Sequence, residues 1–355
     1  LLRYRPSPDA PFNIHRQPVL MLGGIFMNND EYLPHTTELM REKYSGMSLP
    51  DDLADWAVGD AYIQNDHLLY YNLGYYLWKK GFDPWFGNYR GTGRDEMKSG
   101  SPTTISTLDV PGCLDMPAMV QKITEVTGLK PVIGGHSTGG LVCWTYLQGA
   151  YIDGAEAIKG RNSKPRYIPH VKVSRELAEQ RNGSVKGFIA LDPAVAPYLP
   201  REMNAYWMWY LIDAPIVLPL DDMMGSMLAE SGSDDMTMTE IMSYLFGGLS
   251  GLGIQYPESV FQYFDFFRTS NVDPCVLDYF MRYATTNGYM RMIAQFADWG
   301  IHVHMREGFN NGPENAGSNV MPEERKDGDG FLYYEDHMIN ITAPIICVGS
   351  ASDGM

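Results

Sequence analysis

The chain has 355 residues, 45% of them hydrophobic and 12% aromatic, which is enough to bury a large core. Its 43 acidic residues outnumber its 27 basic ones for a formal charge of -16, which repels phosphate-rich partners and anionic membranes at long range. No run of Lys and Arg marks a nucleic-acid footprint, and no apolar stretch of ~18 residues reads as a membrane span.

The four cysteines, Cys113, Cys143, Cys275 and Cys347, have no CxxC spacing, so no zinc or redox site is expected. No other metal and no organic cofactor is implied. Cys143 and Cys347 fall in apolar surroundings that read as core. Asn182-Gly183-Ser184 and Asn340-Ile341-Thr342 are glycosylation triplets.

In chain order, residues 18–22 read as a buried strand followed by a turn at Gly23-Gly24. Residues 28–65 form an insertion without a predicted role. A helical pattern covers 66–80, closed by Gly81 where a helix prefers glycine. Further strands are predicted at 82–86, 131–134, 185–191 and 344–348, and helices at 114–126 and 139–149. Residues 154–180 read as a polar insertion and 310–330 as a polar surface excursion. Between residues 197 and 299 the strand signal vanishes, and Met and aromatic residues dominate, as in Met203-Asn204-Ala205-Tyr206-Trp207-Met208-Trp209-Tyr210.

Short apolar runs alternating with helical patterns predict a mostly parallel sheet with helices on both faces. The expected division is a core over 1–196, a helical cap inserted over 197–300, and a return to the core over 301–355.

The central motif is Gly135-His136-Ser137-Thr138-Gly139, a G-x-S-x-G between a predicted strand and a predicted helix. A serine at so sharp a turn needs small flanking residues, because a β-carbon there would meet the neighbouring strand or helix. Ser137 is therefore the expected nucleophile. The backbone N–H of Thr138, at the positive end of the helix, is one expected oxyanion donor. The second is expected from the loop Gly23-Gly24-Ile25-Phe26, whose alternative reading is a plain turn.

These residues resemble the acid lipases of the gastric and lysosomal type, members of the α/β-hydrolase fold. Gly23-Gly24-Ile25 occupies the place of that family's His-Gly-Leu segment, with Gly23 replacing its histidine, so the resemblance gives Ile25 the donor role. Trp85-Phe86-Gly87-Asn88-Tyr89-Arg90-Gly91 resembles its W-x-G-N-x-R-G signature, and residues 135–139 its G-H-S-x-G elbow. Residues 188–196 resemble the strand leading into the cap, Asp298-Trp299-Gly300 a motif near the cap's end, and 344–353 the strand and loop that deliver the acid.

The resemblance implies a serine ester hydrolase for fatty-acyl esters, working through an acyl-enzyme. It also implies contact with a lipid–water interface through the cap, and a secreted or lysosomal location.

It places the acid at Asp353. In this fold the order is serine, acid, histidine, and only Gly354 and Met355 follow Asp353. The base is therefore expected beyond Met355, and the chain reads as cut short. An alternative acid is Asp192, paired with His302 or His304, while His136 reads as a packing residue. The alternative function is an inactive hydrolase fold kept as a binding or structural subunit of an assembly.

Overall fold

The computed structural model describes residues 1–43, 47–90, 92–93, 107–159, 165–192, 217–218, 273–289, 304–305 and 332–349, with Met292, Gln295 and Trp299. In chain order its strands are β1 (Leu2–Arg3), β2 (Pro18–Leu22), β3 (Asp83–Gly87), β4 (Val132–His136), β5 (Ala150–Lys159), β6 (Pro165–Val173), β7 (Gly187–Leu191), β8 (Val217–Leu218), β9 (Gly288–Tyr289) and β10 (Ile345–Val348), and two short helices, α1 (Glu38–Lys43) and α2 (Ala61–Asn65), lie between β2 and β3. Six of them form one sheet in the order β1-β3-β2-β4-β7-β10, antiparallel only between β1 and β3.

All five residues of β2 are buried, as befits a strand covered on both faces. Leu20 and Leu22 pack with Ile133, Phe188, Met119, Ile123 and Val142 on one side, against α4 (Met116–Thr127) and α5 (Thr138–Leu147). Val19 and Met21 face the other way, packing with Tyr32, Leu33, Phe86, Leu73 and Leu77, the last two from α3 (Leu73–Lys79). The two-residue period of the strand thus assigns alternate side chains to two helical layers. A parallel sheet in this order, helices on both faces and a serine turn after β4 constitute the α/β-hydrolase fold.

The expected helix over 66–80 is broken. A 3-10 turn, His67–Tyr71, precedes α3, and the break falls where polar side chains serve as caps. Asn72 Oδ1 accepts from Tyr75 N–H at 2.7 Å, and Asp66 accepts from Leu68 N–H at 3.1 Å. Such local bonds compete with a continuous helix. Gly81, at φ 84°, closes α3 as expected.

The polar insertion 154–180 contains parts of two strands and of a helix. β5 and β6 pair antiparallel, and Ser174 caps α6 (Arg175–Gly183) through Leu177 N–H at 3.2 Å. Strands are also present inside the cap segment, where none was expected: β8 pairs with β9, and the helix Pro274–Tyr279 lies between them in sequence. Cap residues 197–216, 219–272, 290–291, 293–294, 296–298 and 300, the excursion 310–330 and residues 193–196 lie outside the described residues.

Cys347 corrects another expectation. It is exposed, unlike Cys143, because β10 is hydrogen-bonded only to β7 among the described residues and all four of its residues are exposed. Asn182 is buried. Its amide donates to Leu147 O at 2.8 Å and Ala178 O at 2.7 Å, while Oδ1 accepts from the N–H groups of Thr342 and Ala343, both at 2.9 Å. A glycan on that nitrogen is incompatible with this packing. Among the described residues no helix is long and apolar enough to cross a membrane.

Candidate active site

β4 ends at His136 and α5 begins at Thr138, so Ser137 alone makes the strand-to-helix turn. Its backbone lies at φ 48°, ψ -116°, a combination that side chains of L-residues rarely adopt. Neighbours hold it there. Ser137 N–H donates to Leu191 O at 2.9 Å, and the serine carbonyl accepts from Gly140 N–H at 3.0 Å. A β-carbon on Gly135 would overlap the carbonyl of Gly139. One on Gly139 would overlap Leu22 O and lie 2.7 Å from Gly23 O. Both obstacles are backbone, so no side chain can swing aside to admit the methyl group.

The loop after β2 lies against this turn. An added β-carbon on Gly24 would sit 3.6 Å from Ser137 Cβ. Residues 24–27 form a tight turn in which Met27 N–H donates to Gly24 O at 3.2 Å, with Phe26 at φ 61° in its third position. Most of the loop's carbonyls are engaged. Tyr32 OH donates to Leu22 O at 2.7 Å, Tyr89 OH donates to Gly23 O, and Thr286 N–H donates to Phe26 O at 2.7 Å. Burial holds the Tyr32 and Tyr89 phenols well above their ordinary pKa, so both stay protonated donors.

The loop's amides are sorted as well. Gly24 N–H donates to Glu31 Oε2 at 2.9 Å. The backbone N–H groups of Ile25 and Thr138 donate to no acceptor among the described residues. Thr138 is fully buried, and its hydroxyl likewise lacks a partner among them. An oxygen that gains negative charge beside Ser137 would meet uncommitted donors and the positive end of α5.

The W-x-G-N-x-R-G segment has a structural part to play here. Trp85 sits in the core, Asn88 Oδ1 accepts from Asn29 N–H at 2.8 Å, and Tyr89 clamps the glycine loop. Arg90 grips Asp115 through Nε at 2.9 Å and Nη2 at 2.6 Å. Gly91 lies outside the described residues.

Of the other expected site residues, Asp192 follows β7 directly, one residue beyond Leu191, which is in register with His136. Its φ is 45° and its N–H donates to Val348 O at 2.6 Å, so it sits at the same end of the sheet as the serine turn. Asp353 and His302 lie outside the described residues. His304 is paired with Glu335 rather than with Asp192: Nδ1 is 2.6 Å from Oε1, and Met305 N–H donates to Oε2 at 3.1 Å. His136, expected to pack, instead holds Glu31 Oε1 through Nδ1 at 2.5 Å. Glu31 and Tyr32 went unrecognised in the sequence; the one available signal was Gly23 itself, whose missing side chain leaves room for something else. Among the described residues no cluster of three or more His, Cys, Asp or Glu could hold a metal ion.

No protein-family model and no curated protein matches the chain. Solved structures similar to it include the mature lipase BlEst2 of Bacillus licheniformis, at 12% identity and TM-score 0.29, covering 59% of this chain and 51% of that one. A monoacylglycerol lipase of Paleococcus ferrophilus is similar at 15% identity and TM-score 0.29, over 64% of this chain and 61% of that one. A thermophilic esterase from Thermogutta terrifontis is similar at 12% identity and TM-score 0.33, over 94% and 81%. The chain spans about half the length of the Bacillus lipase. The fold assignment rests on the strand order and the serine turn.

Proposed function

We propose that this chain is a serine ester hydrolase of the acid-lipase type, acting on fatty-acyl esters at a lipid–water interface. The observation that carries the reading is the conformation of Ser137, held at φ 48° between β4 and α5 with the Gly24–Ile25 loop alongside. Strain of this kind is retained where it serves a function, here by exposing Oγ at the apex of the turn.

In the proposed reaction Ser137 Oγ attacks the acyl carbon as a histidine base takes its proton. The N–H groups of Ile25 and Thr138 stabilise the resulting oxyanion. The alcohol then leaves, and water resolves the acyl-enzyme by the same route. The proposed acid is Asp353, because of its place after β10 in the order of the resemblance. Asp192, at the end of the adjacent strand, is the alternative. The preference for lipids rests on the Met and aromatic density of residues 203–242, since thioethers adapt to flexible apolar chains.

The test is kcat/KM of the full-length protein for soluble p-nitrophenyl esters of graded chain length, with Ser137→Ala as control. Apolar burial at about 0.8 kcal/mol per methylene predicts a rise of roughly fourfold per added methylene beyond butanoate. Equal values at all lengths would remove the apolar acyl site. No hydrolysis at any length would favour the inactive-subunit reading.

A further inference from the structure

The insertion 28–65 begins with a turn that reaches into the site. Asn29–Tyr32 is a single 3-10 turn capped by Asn28, whose Oδ1 accepts from Asp30 N–H at 2.7 Å. It is braced against Asn88, the residue after β3, by two bonds from and to Asn29 at 2.8 and 2.6 Å. Tyr32 OH accepts from His136 N–H at 3.2 Å while donating to Leu22 O. The turn therefore touches the end of β2, the signature after β3 and the entry to the nucleophile turn.

Glu31 is its charged prong. One carboxylate oxygen takes Gly24 N–H at 2.9 Å and the other takes His136 Nδ1 at 2.5 Å. The Glu31 side chain is 8% exposed, so water competes little for these bonds. A β-carbon on Gly23 would lie 2.6 Å from Glu31 Oε2. The carboxylate thus fills the space beside the position where the acid-lipase pattern has histidine.

We propose that Glu31 is a positioning residue, which tethers the oxyanion loop to the strand that delivers Ser137. By consuming the Gly24 amide it leaves Ile25 N–H as the loop's donor, and it fixes that donor relative to Oγ. The insertion thereby supplies the tether from the space that the missing side chain of Gly23 leaves. This role rests on the hydrolase reading, but the tether itself can be tested apart from it.

The experiment compares wild type, Glu31→Ala and Glu31→Gln in three readouts. These are the second-order rate of Ser137 labelling by a fluorophosphonate ester, the kcat and KM for p-nitrophenyl butanoate, and hydrogen exchange at the Gly24 amide. A loop displaced by about 1 Å should lower both the labelling rate and kcat in Glu31→Ala by roughly 10- to 100-fold, with KM within about threefold of wild type. Glu31→Gln still presents an oxygen to Gly24 N–H and should stay within about tenfold of wild type. This rescue keeps the proposal testable if Glu31→Ala does not fold.

Labelling of Glu31→Ala at the wild-type rate, or a loss in Glu31→Gln as deep as in Glu31→Ala, would overturn the positioning role. A Gly24 amide that exchanges as fast in wild type as in Glu31→Ala would overturn the tether. A wild type that leaves Ser137 unlabelled while Gly24 is protected would instead overturn the hydrolase reading, and with it the catalytic role of the tether.

Discussion

Replacing Ser137 by glycine should abolish activity and yet stabilise the protein. The residue lies at φ 48°, ψ -116°, outside the regions open to side chains with a β-carbon. Holding such a backbone costs about 1–3 kcal/mol, all of it tied to the β-carbon. Glycine removes that cost but adds about 0.5–1 kcal/mol of unfolded-state entropy. The net expectation for Ser137→Gly is a gain of about 1 kcal/mol, or an increase in Tm of about 1–3 °C in a chain of this length. Ser137→Ala is the control. It removes the hydroxyl while keeping the β-carbon, so it should stay near wild type in stability. The assay is urea unfolding of the three proteins side by side, with hydrolysis measured in parallel. A Ser137→Gly midpoint at or below that of Ser137→Ala would show that the turn is not strained and would refute the argument that carries the proposed function.

Asn182→Ala should destabilise by about 3–5 kcal/mol, since the buried amide serves Leu147, Ala178, Thr342 and Ala343 and leaves their groups unpaired. A cost below about 1 kcal/mol in urea unfolding would contradict that network. Tyr89→Phe strips the hydroxyl from Gly23 O and should cost about 1–3 kcal/mol while lowering kcat more than it raises KM. A thiol reagent applied to the native protein should modify Cys347 first, because Cys113, Cys143 and Cys275 are buried and burial pushes the Cys143 thiol up; mapping the adduct to Cys143 first would contradict the packing of α5. For the acid, Asp353→Asn in the full-length protein should lower kcat by about 10⁴ while Asp192→Asn chiefly affects folding; the reverse pattern would assign the acid to Asp192.

The features legible in the sequence are those written in contiguous residues. β2 is an uninterrupted apolar run before two glycines, and the nucleophile turn is a five-residue pattern between a strand and a helix. What escaped depends on distant partners or on competing local bonds. The Glu31–His136 contact joins residues 105 apart, and no spacing rule points from one to the other. Asn72 reads as an ordinary polar helix position, yet its backbone N–H closes one turn on Leu69 O and its side chain starts the next. The β5–β6 hairpin went unseen because charges and Gly154 interrupt its apolar alternation. Cys347 sits in an apolar run that resembles a core strand, and a run alone cannot show whether a neighbour covers it.

The central claim, that Ser137 is an activated nucleophile beside a preformed oxyanion site, is tested most directly by covalent capture. The protein is treated with a fluorophosphonate ester, and the adduct is located by peptide mass mapping in wild type and Ser137→Ala. The account predicts one adduct, on Ser137, that is absent from the variant. Labelling that persists undiminished in Ser137→Ala, or a wild type that stays unmodified, would contradict it.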